Sequence, residues 1–75
     1  MIPVALPERS SVKIAVYDLL GRRVTTLYDG NLEAGHHTFT WSGKDFMGTG
    51  VASGIYFIQM QADDYSATRK AILMK

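Results

Sequence analysis

The sequence contains no cysteine, only two prolines in 75 residues, and almost no excess of charge of either sign. Without cysteine there is no disulfide scaffold, no thiolate-ligated zinc or iron–sulfur site, and no thiol redox chemistry. Eight Lys and Arg against seven Asp and Glu leave a net charge of +1. The domain therefore lacks the basic field that holds nucleic acid or anionic lipid, and we expect neither partner.

Membrane and targeting signals are also missing from the start of the chain. The segment MIPVALPERS has a short apolar run and both prolines, with no basic residues before it. It resembles neither a signal peptide nor a membrane span, so we expect no membrane insertion.

The composition is that of a folded domain. Hydrophobic residues make up 47% of the chain, with four Tyr, three Phe and one Trp, which is typical of a globular rather than a disordered protein. At this length we expect residues 1–75 to form one domain, with a hydrophobic core small enough that its stability is marginal.

Apolar residues recur with a period of two, as in strands that bury one face. The pattern is clear in three segments: VKIAVYD, HHTFTWS and GIYFIQMQA. In the first, Val12, Ile14 and Val16 share one face. We expect Val16, Phe39, Trp41 and Tyr56 at the centre of the core.

Three other segments are less regular. Val24 and Leu27 are three positions apart in RRVTTLY, which predicts either a bulge or a partly covered second face. The apolar run 71–74 predicts a last strand covered on both faces. The segment IPVAL predicts a short edge strand, because proline cannot donate a hydrogen bond to a sheet.

Turn signals separate these segments at short, regular spacings and carry the glycines. No stripe of helical period is present. The sequence therefore predicts an all-β fold, an immunoglobulin-like antiparallel β-sandwich of about six to seven short strands.

Several short elements together resemble a known family. They are Tyr-Asp-x-x-Gly-Arg at 17–22, Ala-Gly-x-His at 34–37, Trp41 with Gly43, Ser-Gly-x-Tyr at 53–56, and Thr-Arg-Lys with a final Lys at 68–75. This set resembles the C-terminal sorting domains of cargo proteins of the bacterial type IX (Por) secretion system. It is also similar to their relatives, the immunoglobulin-like domains of flagellar hook-capping proteins.

The first resemblance implies a non-enzymatic sorting and anchoring module at the end of a larger exported protein, with a cargo domain upstream on the same chain. The partner would be the outer-membrane secretion machinery, and the location would be secreted or cell-surface, reached through the periplasm. The residues implied in receptor recognition are Gly54, Tyr56, Thr68, Arg69, Lys70 and Lys75. Basic residues on an edge strand also serve simply to block aggregation. The alternatives are a structural or assembly module of the hook-capping type, and a carbohydrate-binding accessory domain.

Candidates for chemistry are weak. His36 and His37 are adjacent on a predicted strand, so they point to opposite faces and cannot chelate one metal together. We expect His36 to be solvated and His37 to bond a turn carbonyl. Ser42, Asp45 and a histidine lack the spacing of a catalytic triad, so we expect no enzyme.

Two loops and a set of aromatic rings are the remaining candidate sites. The segment 29–33 has alternating oxygen side chains but lacks the remaining ligands of a calcium loop, so we expect a turn with Gly30 at positive φ and no cofactor or metal. The glycine-rich 48–54 precedes no helix that could hold a phosphate, and we expect a plain loop. A row of exposed rings would favour carbohydrate binding, and scattered rings would be ordinary packing. The candidate rings are Tyr17, Tyr28, Phe46, Phe57 and Tyr65.

Overall fold

A computed structural model describes residues 2–63 and 65–74, which form six β-strands. In chain order the strands are β1 (Ile2–Leu6), β2 (Ser10–Tyr17), β3 (Arg23–Leu32), β4 (Gly35–Phe39), β5 (Gly54–Ala62) and β6 (Tyr65–Leu73). Among the described residues there is no helix long and apolar enough to cross a membrane.

The strands form two antiparallel sheets. One has four strands in the order β3-β2-β5-β6, and the other pairs β1 with β4. The period-two segments lie in β2, β4 and β5, so the two sheets can share one apolar interior. The predicted all-β, immunoglobulin-like sandwich is confirmed.

The core is centred on β2, one of the two strands of the large sheet that have a neighbour on each side. Val12, Ile14 and Val16 are almost completely buried. Alternate residues of β5 and β1 complete the interior: Ile2, Val4, Leu6, Tyr56, Ile58 and Ala62.

Two of the four residues predicted at the centre lie there, namely Val16 and Tyr56. Phe39 and Trp41 are only partly buried and pack against the margin of the core. The difference arises because β4 ends at Phe39, so Trp41 lies in the following loop rather than in a strand.

The predicted irregularity of the third strand is confirmed as two bulges. Ile14 pairs with Tyr28 and Ala15 with Thr26, which leaves Leu27 without a partner in register. A second shift falls opposite Val24. Each bulge lets an extra apolar side chain pack against the core.

Two expectations about individual segments are wrong. Gly30 lies inside β3 opposite Val12, because the strand runs on to Leu32 and the chain reverses after it. The last strand is not covered on both faces: β6 is an edge strand, and the small β1-β4 sheet can cover only the inner face, so Ile72 remains 65% exposed.

Candidate functional site

The predicted recognition residues fall on the hairpin formed by β5 and β6. Gly54 begins β5, and Thr68, Arg69 and Lys70 follow one another in β6. Lys75 lies outside the described residues. A recognition role for these residues stays a prediction.

Tyr56 belongs to the core rather than to a surface. Its ring packs edge-on against Trp41, with the ring centroids 5.0 Å apart. Its hydroxyl donates a hydrogen bond to the carbonyl of Ala52 at 2.6 Å. Tyr56 therefore fastens the loop after Trp41 to the interior, and its buried side chain has little surface to offer a receptor.

Strand β6 has one neighbour, β5, and its other edge is open within the described part of the chain. Thr68 and Lys70 stand opposite Gln59 and Phe57 on the outer face. Arg69 faces inward and helps to line the groove between β1 and β6. The open edge offers main-chain hydrogen-bonding groups, and its basic side chains are the usual protection of such an edge.

A tight turn joins β2 to β3 and is closed by Asp18. The Asp18 Oδ1 atom accepts hydrogen bonds from the main-chain N–H groups of Leu20 and Arg22, both at 2.9 Å. The main chain adds bonds from Gly21 N–H to the Asp18 carbonyl and from Asp18 N–H to the Arg22 carbonyl, each 3.0 Å. Gly21 has φ of 81°, a conformation that glycine adopts without strain.

The Arg22 side chain completes this turn. Its Nε donates to Asp18 Oδ2 at 3.0 Å. The hydrogen bond from the Arg22 backbone is the main reason that the pKa of Asp18 lies below its ordinary value, and the guanidinium adds to the effect. Asp18 is thus held as a carboxylate by the turn that it organises.

A second turn of the same construction lies in the loop between β4 and β5. Asp45 Oδ1 accepts from the N–H groups of Met47 and Thr49 at 2.9 and 3.0 Å. Asp45 N–H donates to the Thr49 carbonyl, and Gly48 N–H donates to the Asp45 carbonyl. The sequence signal is Asp-x-x-Gly, which occurs as DLLG and as DFMG. Asp and Gly are ordinary turn residues, so the sequence predicts a turn in each segment but not that the two turns share one construction.

The two turns are neighbours. The N–H of Phe46, in the second turn, donates to the carbonyl of Val24 at 3.1 Å, two residues after the first turn ends. The loop that carries the second turn is also anchored by Trp41, whose Nε1–H donates to the Lys44 carbonyl at 2.9 Å.

Two of the candidate catalytic and metal-binding residues, His37 and Asp45, serve local structure. His37 is confirmed as a partner of a turn carbonyl, with its Nε2 2.7 Å from the oxygen of Glu33, and His36 is exposed. Asp45 is occupied by the turn described above. Within residues 2–63 and 65–74, no three His, Asp or Glu side chains come together in a way that could hold a metal ion.

The candidate sugar-stacking rings lie in four different places. Tyr17 and Phe57 are cross-strand neighbours on the outer face of the large sheet. Tyr28 packs against Phe39 with ring centroids 5.4 Å apart. Phe46 is in the second Asp turn, and Tyr65 begins β6 at the other end of the hairpin. This arrangement is that of ordinary packing rather than a stacking platform.

Comparison with known proteins identifies the family. The profile of the FlgD Ig-like domain matches residues 2–66 of the chain. The chain belongs to this family. The basal-body rod modification protein FlgD of Salmonella typhimurium (strain LT2) is 47% identical over 53 residues, and FlgD of Salmonella typhi is equally similar. That match covers 71% of this chain and 23% of either relative. No solved structure matches the chain significantly.

The family membership corrects the first reading of the resemblance. The residues at 17–22, 34–37, 41–43 and 53–56 belong to the matched FlgD Ig-like segment, so they indicate the hook-capping relatives rather than a type IX sorting domain. The predicted sorting and anchoring function, the outer-membrane partner and the cell-surface location are therefore wrong. Arg69 and Lys70 do not distinguish the two families, because basic residues within an edge strand are common among β-sheet proteins.

Proposed function

We propose that this domain is a non-catalytic structural module of a flagellar hook-capping protein of the FlgD type. The observation that carries the proposal is the family match over residues 2–66. The relatives in that match are named as basal-body rod modification proteins. Because the chain spans only 23% of their length, it would act as one part of a longer protein in assembly.

The use of polar side chains supports a structural role. Four side chains use their hydrogen bonds to close or anchor a loop: Asp18, Asp45, Trp41 and Tyr56. His37 does the same. Such a molecule presents a shaped, rigid surface to other proteins, which is what an assembly module requires.

The predicted recognition residues of β6 fit this proposal as a protein-contact edge. An open strand can pair with a strand of a partner, and neighbouring side chains then decide which partner fits. Thr68 and Lys70 would project from the outer face at such a contact.

A domain exchange tests the proposed function. In a Salmonella strain lacking FlgD, the 53-residue region of FlgD that matches this chain is replaced by the corresponding residues of this chain. We expect the chimera to restore hooks, counted by electron microscopy. A matched chimera carrying an unrelated immunoglobulin-like domain of similar size should not restore them.

Export and abundance of the chimera are measured in the same cells, so that a failure to build hooks can be distinguished from a failure of export or folding. An exported, folded chimera that builds no hooks would contradict the proposal. Equal rescue by the unrelated domain would also contradict it, since any spacer would then suffice.

A further inference from the structure

Large apolar side chains that remain exposed are concentrated at one end of this domain. Among the described residues, eight such side chains are exposed, and seven of them belong to this group. The seven are Leu19, Leu20, Phe46, Met47, Ile55, Ile72 and Met74. We call this group the apolar tip. The eighth, Tyr65, lies at the far end of β6.

The strand register brings the members of the apolar tip together. Tyr17 at the end of β2 pairs with Arg23 at the start of β3, so the turn carrying Leu19 and Leu20 projects from this end of the sheet. Ile55, near the start of β5, stands opposite Ile72, near the end of β6. The molecule measures 36 × 20 × 19 Å, so an end of the long sandwich is only about 20 Å across.

The hydrogen bonds of the two Asp turns do not require apolar side chains. They use the Asp carboxylates, main-chain groups and the Arg22 side chain. The second and third positions of each turn could therefore carry polar residues, as solvent-exposed turns usually do. Instead both turns present two large apolar residues, and Leu20 and Phe46 are each 77% exposed. Apolar groups clustered in this way mark an interaction surface.

Charge around the apolar tip is predominantly positive. Arg23, Lys44 and Lys70 are exposed beside it, whereas Asp18 and Asp45 turn their carboxylates onto main-chain N–H groups. The acidic residues Glu8, Glu33 and Asp63 lie near the opposite end of the strands, where Arg9 forms an ion pair with Glu33 at 3.5 Å. The molecule is therefore polarised, with an apolar, cation-rimmed end and an end at which acidic residues outnumber basic ones.

We propose that the apolar tip docks a protein segment that presents large apolar side chains flanked by carboxylates. Burial of the Leu, Phe, Met and Ile side chains would supply affinity, and the surrounding cations would select an acidic partner. The two Asp turns hold the contact residues in a fixed shape, which lowers the entropy lost on binding. The inference rests on the geometry of this end and does not depend on the proposed hook-capping function.

The probe is an amphipathic helical peptide with Leu and Phe along one face and Glu on both sides of it, labelled for fluorescence anisotropy. A matched peptide carries Lys in place of Glu. We expect the domain to bind the Glu peptide more tightly than the Lys peptide, with affinity that falls as salt is raised. Amide shifts in NMR spectra should change at 18–22 and 45–49.

The decisive variant is Leu20→Ser combined with Phe46→Ser, one change in each turn. Because each buried apolar side chain is worth about a factor of ten in affinity and this variant removes two, we expect the dissociation constant to rise by about a hundredfold. Tyr65→Ser is the matched control, since it removes an exposed ring at the other end, and it should leave binding within about twofold. Circular dichroism confirms that all variants are folded.

Three results of the peptide experiment would overturn the proposal. These are no binding of the Glu peptide, binding no tighter than that of the Lys peptide, or binding with NMR amide shifts only at residues outside both turns. Sedimentation equilibrium of the domain alone tests whether a second copy of the domain occupies the apolar tip instead. Self-association that Leu20→Ser with Phe46→Ser abolishes would assign the apolar tip to a second copy and reject the acidic partner.

Discussion

The contribution of a single side chain to stability depends on how deeply it is buried, and two isoleucines of this domain differ in burial. Ile14 is fully buried on the central strand, whereas Ile72 is 65% exposed on the edge strand. We expect Ile14→Val to lower the free energy of unfolding by about 0.5–1.5 kcal/mol, because it leaves a methyl-sized gap in a packed core. Ile72→Val should change it by less than about 0.5 kcal/mol, measured by urea unfolding. Equal effects would show that β2 is not the centre of the core.

A comparison of Ala substitutions at two glycines distinguishes the cost of backbone strain from the cost of steric crowding. Gly21 and Gly43 have nearly equal φ angles, 81° and 77°. A Cβ at Gly21 meets nothing within 4 Å, but at Gly43 it comes 3.0 Å from Leu73 Cδ1. Ala at either position should cost about 1–2 kcal/mol for the left-handed conformation. Gly43→Ala should cost more by thermal unfolding, and an equal loss would contradict the packing of Leu73 at this position.

The Asp18 carboxylate makes part of the stability depend on pH. Its pKa is lowered in the folded state below its ordinary value of 3.8, chiefly by the hydrogen bond from the Arg22 backbone. A carboxyl group with a lowered pKa stabilises the fold at pH values above the pKa that it has in the unfolded state. That stabilisation is lost as the pH falls through the pKa of the group in the folded state. The stability difference between the parent and Asp18→Asn should therefore be larger at pH 7 than at pH 2.5, by urea unfolding. A difference that is the same at both pH values would contradict this reading of the turn.

At the scale of elements, β6 carries the clearest liability because its outer edge is open. Arg69 and Lys70 sit in the middle of this nine-residue strand. We expect Arg69→Val with Lys70→Val to promote aggregation by edge-to-edge pairing, seen as faster growth of light scattering at 37 °C.

The matched control for the edge-strand prediction is Lys13→Val. Lys13 lies on β2, which has a partner on each side and no free edge. That variant should remain soluble at the same concentration. Equal aggregation of both proteins would show that hydrophobicity, rather than the open edge, is responsible.

Period-two patterning predicts the strands β2, β4 and β5 of this fold. Val24 and Leu27 break the alternation, which predicts an irregular third strand but not that it contains two bulges. The pattern failed at Gly30, since Asp-Gly-Asn is a common turn sequence and only the pairing with β2 extends the strand through it. It failed at Ile72, because local sequence cannot show that the second sheet is too small to cover β6.

The candidate surface was harder to predict than the fold. DLLG and DFMG are separated by more than twenty residues, and only the contact from Phe46 N–H to the Val24 carbonyl brings them together. Exposure of Leu20 and Phe46 likewise depends on the end of the sandwich from which the turns project. Apolar residues in a sequence otherwise predict burial, so this surface could not be read from composition.

At the scale of the whole molecule, the domain is a narrow sandwich with different chemistry at its two ends. One end has the apolar tip with its cations, and the other carries Glu8, Glu33 and Asp63. The middle holds the core, which side chains of β1, β2 and β5 form. The two ends therefore offer different chemistry to any protein that contacts them.

The proposed hook-capping function requires the sandwich to be folded. The most direct measurement is the swimming diameter, in soft agar, of the FlgD-deficient strain carrying the chimera, compared with the same chimera containing Ile14→Asp. A charge at the buried Ile14 position should unfold the domain. We expect the parent chimera to swim and the Ile14→Asp chimera not to swim, at equal protein levels. A parent chimera that stays non-motile while folded, or an Ile14→Asp chimera that swims as far as the parent, would contradict it.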